Sequence, residues 1–201
     1  AAHDLAEVGP LRQEWFVVGH SEGGLAALAS DAAADEALPE LDYLGAVVAA
    51  PTPDLGTYAP AMFAIEGRGY AVLLLAAVAG VAPDLAPSAA LGPEAASREA
   101  LVTHGCWEEA VPGFDDIPPE QMLADPDAGQ RLADVLAEWA AYDPATVVGP
   151  MLVVQGEADD SVLPPLTAQL VDDLCAHRRP IEYRTYAGAG HDEVMAASSA
   201  D

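Results

Sequence analysis

The chain has 201 residues, of which 52% are hydrophobic, 6% aromatic and 20% charged, enough apolar content for one packed core and too much for a disordered chain. Its 33 acidic residues face 7 basic ones, all Arg, for a formal net charge of -26. Lacking clustered positive charge, it is not built for nucleic acid or an anionic membrane surface, and its acidity reports solubility rather than function. The same acidity suits high salt or an extracellular setting, but an Ala-rich, Lys-free composition is read first as a bias of the coding genome.

In chain order, Ala1–Val8 reads as the tail of a helix, and Ala1–Gln13 has neither a basic start nor a long apolar run, so no signal peptide is visible. The absence of an initiator Met is what a sequence beginning inside a longer protein would show. Glu14–Val18 (EWFVV) is an apolar, aromatic run of strand length that leads straight into Gly19-His20-Ser21-Glu22-Gly23-Gly24. LAALA after Gly24 is strongly helix-forming and predicts a helix ending near Asp31, with Asp31–Ala37 as helix end and loop. Leu44–Ala50 is a second apolar run, closed by Pro51-Thr52-Pro53.

An interruption of about 95 residues, Pro53 to Val148, follows; it carries helical patterns and many prolines but no convincing strand, and is far longer than an ordinary crossover. Within it, the apolar stretch Tyr70–Ala82 falls short of the ~20 residues that span a bilayer and reads as a buried or interfacial helix. Asp127–Tyr142 is amphipathic, with Leu132, Val135, Leu136 and Trp139 on one face. Pro150–Gln155 is a third strand, Leu166–His177 a helix, and Ile181–Tyr186 a fourth strand. Apolar runs separated by helices predict an α/β fold with a parallel sheet covered on both faces, its core built from 1–52 and 149–201 and a helical lid or cap inserted at 53–148. Two cysteines, Cys106 and Cys175, are too few for a disulfide scaffold and lack a CxxC pair. They leave room for one bridge between insertion and core, or else for two buried thiols.

Gly19-x-Ser21-x-Gly23 between a strand and a helix has the form of a nucleophile elbow, in which the Ser sits on a strained turn and small neighbours let strand and helix approach. A phosphate-binding loop fits less well, because GxGxxG and GK[ST] are both missing. A nucleophilic Ser needs a base, and the base needs an orienting carboxylate. The third strand is followed by Gln155-Gly156-Glu157-Ala158-Asp159-Asp160-Ser161-Val162, and the fourth by Gly188-Ala189-Gly190-His191-Asp192. Asp159 is preferred as the acid because it stands nearer the strand end, with Asp160 as the alternative, and His191 is the base. His3, His104 and His177 read as surface groups, while His20 packs or hydrogen-bonds beside the nucleophile. The order Ser, Asp, His is that of the α/β-hydrolases.

GHSEGG, QGEADDSVLPPLTAQLVDDLC and YRTYAGAGH together resemble the secretory lipases similar to Candida antarctica lipase A, within the α/β-hydrolase superfamily. The resemblance is strongest over Trp15–Asp54 and Pro150–Glu193; the middle is similar to that family's helical lid only in size, position and apolar character. It implies Ser21 as nucleophile, Asp159 as acid, His191 as base, a lipase or esterase acting on acylglycerols or other lipid or small-molecule esters, transient contact with a lipid interface, and secretion. Neither a cofactor nor a metal is called for, since the reaction needs only water. The family's D-x-x-V-P appears as Asp159-Asp160-Ser161-Val162-Leu163-Pro164, where Asp159 fits the Val spacing and Asp160 the Pro spacing.

The resemblance also makes Glu14–Val18 the family's fifth strand, so the earlier strands and the loop giving half of the oxyanion hole are expected upstream of Ala1. Within the chain, the backbone N–H of Glu22 is the expected oxyanion donor. Loss of one such donor costs about a hundredfold to a thousandfold in rate, which predicts weak activity for the chain alone. Two other readings stand beside the esterase: a serine peptidase of the prolyl-peptidase type, and a catalytically incomplete fragment that only binds.

Overall fold

The fold is described by a computed structural model over residues 12–52, 54–177 and 180–199; the helix expected at Ala1–Val8 lies outside them. The chain divides into two compact units, Ala1–Pro53 with Tyr142–Asp201, and Asp54–Ala141.

In the first unit the four apolar runs form β1 (Glu14–His20), β2 (Asp42–Ala49), β3 (Met151–Gly156) and β4 (Ile181–Tyr186). They pair in the order β1-β2-β3-β4, all parallel, with Val18 opposite Val47, Val47 opposite Leu152, and Leu152 opposite Glu182. Parallel neighbours need long crossovers, and helices Glu22–Ala37 and Pro164–Ala176 provide two of them. Both pack on one face of the sheet, where Leu28, Leu170, Val171 and Leu174 meet Val48, Met151 and Val153.

Among the described residues the other face lacks the expected full cover: the cluster there is small, with Val194 of the short helix Glu193–Ala197 joining Ala49 and Val154. Nearer the strand starts, Phe16 and Leu44 line an open groove of about 530 Å³ together with Leu152 and Ile181. Among the described residues β1 is an edge, and Phe16, Val18 and Leu44 remain 63%, 52% and 53% exposed.

Helix Glu22–Ala37 runs a turn and a half past its expected end at Asp31. Asp31 does not stop it because its carboxylate is buried and engaged elsewhere: it accepts from the Tyr43 hydroxyl at 2.8 Å and from Val148 and Gly149 N–H at 3.0 and 3.1 Å. That bond set ties the segment leading into β3 to the first unit, as does packing of Tyr142 and Val147 on its core.

The second unit holds helices Leu55–Met62, Gly69–Val78 and Ala128–Trp139 with shorter helical turns between them, and among its described residues only one isolated bridge, Leu91 to Leu123. Its interior buries Leu75, Leu85, Phe114, Met122 and Leu132. Helix Gly69–Val78 is buried over most of its surface. Its entry is fixed by Asp115, which accepts from Gly67 and Arg68 N–H, while the buried Arg68 guanidinium donates to carbonyls of Ile65, Asp115 and Ile117. Trp139 departs from the expected apolar face: at the last position of its helix it is 65% exposed, while Leu132 and Leu136 are buried. Cys106 and Cys175 are both free and both exposed, so neither the bridge nor the buried thiols are found. Among the described residues no helix is long and apolar enough to cross a membrane.

Candidate active site

The site assembles at the ends of β1, β3 and β4, where three loops meet. β1 runs two residues beyond the apolar run, to His20, and Ser21 then takes φ 58° and ψ -123°, a backbone position that a side chain rarely adopts and that costs about 1–3 kcal/mol. The helix begins at the next residue, Glu22. Strand end and helix start lie so close that a Cβ on Gly19 would stand 1.8 Å from the Gly23 carbonyl oxygen, which explains the glycine there. Ser21 is held from behind by its N–H, which donates to the Ala49 carbonyl at 2.9 Å.

The β3 and β4 loops are joined to each other. Glu157 N–H donates to the Tyr186 carbonyl at 3.0 Å and Ala158 N–H to the Ala189 carbonyl at 2.9 Å. A Cβ on Gly156 would come within 2.3 Å of that same Ala189 oxygen. This contact brings His191 to Asp159: Nδ1 lies 2.9 Å from Asp159 Oδ2, and Nε2 lies 2.8 Å from Ser21 Oγ. A carboxylate can only accept, so Nδ1 carries the proton, Nε2 is left with its lone pair, and the Ser21 hydroxyl donates to it.

Asp159 is 4% exposed, and its other oxygen, Oδ1, accepts from Ser161 and Val162 N–H at 2.9 and 2.8 Å. Desolvation alone would push its carboxyl up. The hydrogen bonds from His191, Val162 and Ser161 outweigh it, so the group sits below the ordinary carboxylate range and stays ionised. Asp160 is exposed, and of the two neighbours it is Asp159 that meets His191.

His20 lies beside the imidazole, rings 4.6 Å apart, and its Nε2 is 2.9 Å from the His191 carbonyl oxygen, to which it donates. It therefore pins the loop that carries His191. His104 and His177 are exposed, and His3 lies outside the described residues. His20, His191 and Asp192 could offer a metal three donor atoms within 4.8 Å of one another, but both His191 nitrogens are already engaged by Asp159 and Ser21. Two further members of the site, Gln155 and Thr167, escape sequence reading. Both are fully buried behind Asp159, and the single trace of them in the sequence is a Gln that interrupts an otherwise apolar strand.

The arrangement offers a hydroxyl with an adjacent acceptor nitrogen, an ionised carboxylate behind that nitrogen, and a helix N-terminus beside the hydroxyl, which suits attack on a polarised carbonyl. The profile of the alpha/beta hydrolase family matches residues 1–201. No curated protein sequence matches the chain. Among solved structures, Candida antarctica lipase A superposes with a TM-score of 0.74 at 18% identity, the match covering 92% of this chain and 46% of that one. The rice cell wall degrading esterase LipA from Xanthomonas oryzae superposes with a TM-score of 0.73 at 14% identity, covering 96% of this chain and 56% of that one. The chain thus spans about half the length of these structures, and at such identities the likeness concerns the fold. With its parallel four-stranded sheet and the family match over its whole length, the chain belongs to the α/β hydrolase family.

Proposed function

We propose that the chain carries the reacting centre of a serine carboxylic-ester hydrolase acting on lipid or other small-molecule esters. The observation that carries this reading is the unbroken hydrogen-bond chain from Asp159 through His191 to Ser21, at 2.9 and 2.8 Å, on a strained strand-to-helix turn. On this reading Ser21 Oγ attacks the ester carbonyl carbon while its proton passes to His191 Nε2. Asp159 keeps the imidazole oriented and stabilises the imidazolium, without itself taking the proton. The negative oxygen of the tetrahedral intermediate is met by the backbone N–H of Glu22. Collapse expels the alcohol, which leaves with the proton from His191, and an acyl-Ser21 ester remains. Water then attacks that ester with His191 as base, a second tetrahedral intermediate collapses, and carboxylic acid and Ser21 hydroxyl are regenerated.

The Asp54–Ala141 unit serves, in the same reading, as the lid. Hydrolysis of p-nitrophenyl esters of graded acyl length, with Ser21→Ala as control, tests the assignment. Turnover that vanishes in the variant is expected. Turnover untouched by Ser21→Ala would overturn the reading, and cleavage of peptide anilides in preference to esters would replace it by a peptidase.

A further inference from the structure

β3 is apolar until Gln155, whose side chain is fully buried. A buried primary amide must place two donors and an acceptor, and its surroundings here leave one orientation. Asp159 is ionised and only accepts, so the atom 2.9 Å from its Oδ2 is the amide nitrogen Nε2. The amide oxygen Oε1 then faces Thr167, also fully buried, whose hydroxyl donates to it at 2.6 Å. Nε2 also lies 3.2 Å from the carbonyl oxygens of Gly156 and Val162.

The oxygen of Asp159 that receives Gln155 is the one that receives His191 Nδ1, while the other oxygen is held by two backbone N–H groups. Both carboxylate oxygens are therefore fixed, one by the loop and one by the amide. Resting on the serine-hydrolase reading above, we propose that Gln155 and Thr167 are positioning residues for His191: Thr167 sets the amide, the amide sets Asp159 Oδ2, and Oδ2 aims the imidazole at Ser21. Neither residue touches substrate. The helix Pro164–Ala176, which supplies Thr167, thereby takes part in the site from behind the strand.

The test uses the whole chain and two readouts: the rate at which a fluorophosphonate labels Ser21, and kcat and KM for p-nitrophenyl butyrate. Gln155→Met should lower the labelling rate and kcat by about 10- to 100-fold at unchanged KM, the scale of a misplacement near 1 Å. Thr167→Val should lower both in the same direction, Thr167→Ser should restore them, and the double variant should be no slower than Gln155→Met, because Thr167 acts only through the amide. If Gln155→Met fails to fold, the Thr167 pair, matched in shape, decides the matter alone. Wild-type rates in Thr167→Val, or a double variant slowed by the product of the single effects, would overturn the positioning role. Absence of labelling at Ser21 in the wild-type chain would instead overturn the hydrolase reading and the role that rests on it.

Discussion

Among the described residues, two carboxylates are buried in the sheet unit at opposite ends of its strands, and on the proposed reading they do different work. Asp31 is fully buried near the strand starts, Asp159 is 4% exposed at the strand ends, and each has both oxygens occupied by donors. The partners differ in kind. Asp31 meets a phenol and two backbone N–H groups, none of which ionises near neutral pH, so its bonds hold β2 and the approach to β3 in place. Asp159 shares one oxygen with the imidazole of His191, whose far nitrogen lies 2.8 Å from the Ser21 hydroxyl. Burial and saturation thus mark a carboxylate as important, and the identity of one donor decides whether the importance concerns stability or chemistry.

If that distinction holds, variants of the two acids should separate activity from stability. On the proposed hydrolase reading the largest effect is expected at the strand ends: Ser21→Ala should lower p-nitrophenyl ester turnover by about 10⁴-fold or more, and Asp159→Asn by about 10³- to 10⁴-fold, with circular dichroism showing the protein still folded. A stable but fully active Asp159→Asn would erase the contrast. At the other end, Asp31→Ala orphans three donors at about 1–3 kcal/mol each, so a loss of about 3 kcal/mol or more is expected in urea titrations, at unchanged turnover per folded molecule.

Acid and base should reach the two ends from opposite sides. The Asp159 carboxyl is held below its ordinary value, so its contribution to stability is present above about pH 4 and is lost as pH falls through the lowered value. The Tyr43 phenol is pushed up, first by burial and then by its hydrogen bond to Asp31, so its contribution is present below about pH 10 and is lost as pH rises beyond that. Melting temperatures across pH should fall on both flanks, with Asp159→Asn flattening the acid flank and Tyr43→Phe the alkaline one. The smallest effect is that of Tyr43→Phe at neutral pH, about 1 kcal/mol, and a larger loss would mean that Asp31 depends on the phenol more than on the backbone.

The strands were legible because each is an apolar run closed by Gly or Pro, and a parallel sheet hides its strands well enough to need such runs. Ser21 and His191 stood out because glycines that permit close approach surround them, and glycine density is visible in a sequence. Asp159 and Asp160 were not separable by spacing, since the choice depends on which of two neighbours the turn toward Ser161 and Val162 folds inward. Asp31 was invisible as a buried group among 33 acidic residues, and its partners lie 12 to 118 positions away. The second cover for the sheet was expected from the apolar character of its strands; Phe16, Val18 and Leu44 carry that character on a face that the described residues leave open.

The insertion also bears on how the sheet forms in time. β2 and β3 are neighbours in the sheet, yet roughly 100 residues separate them, and closing a flexible loop of that length costs about 4 kcal/mol in chain entropy. Within the Asp54–Ala141 unit, the first long helix, Leu55–Met62, packs directly on the last, Ala128–Trp139, so folding of that unit draws its own two ends together. What would be a long floppy loop becomes two short connectors. A cavity made inside the unit by Leu132→Ala should therefore slow the refolding of a sheet to which Leu132 does not belong, a delay that stopped-flow circular dichroism would register and whose absence would show the sheet closing unaided.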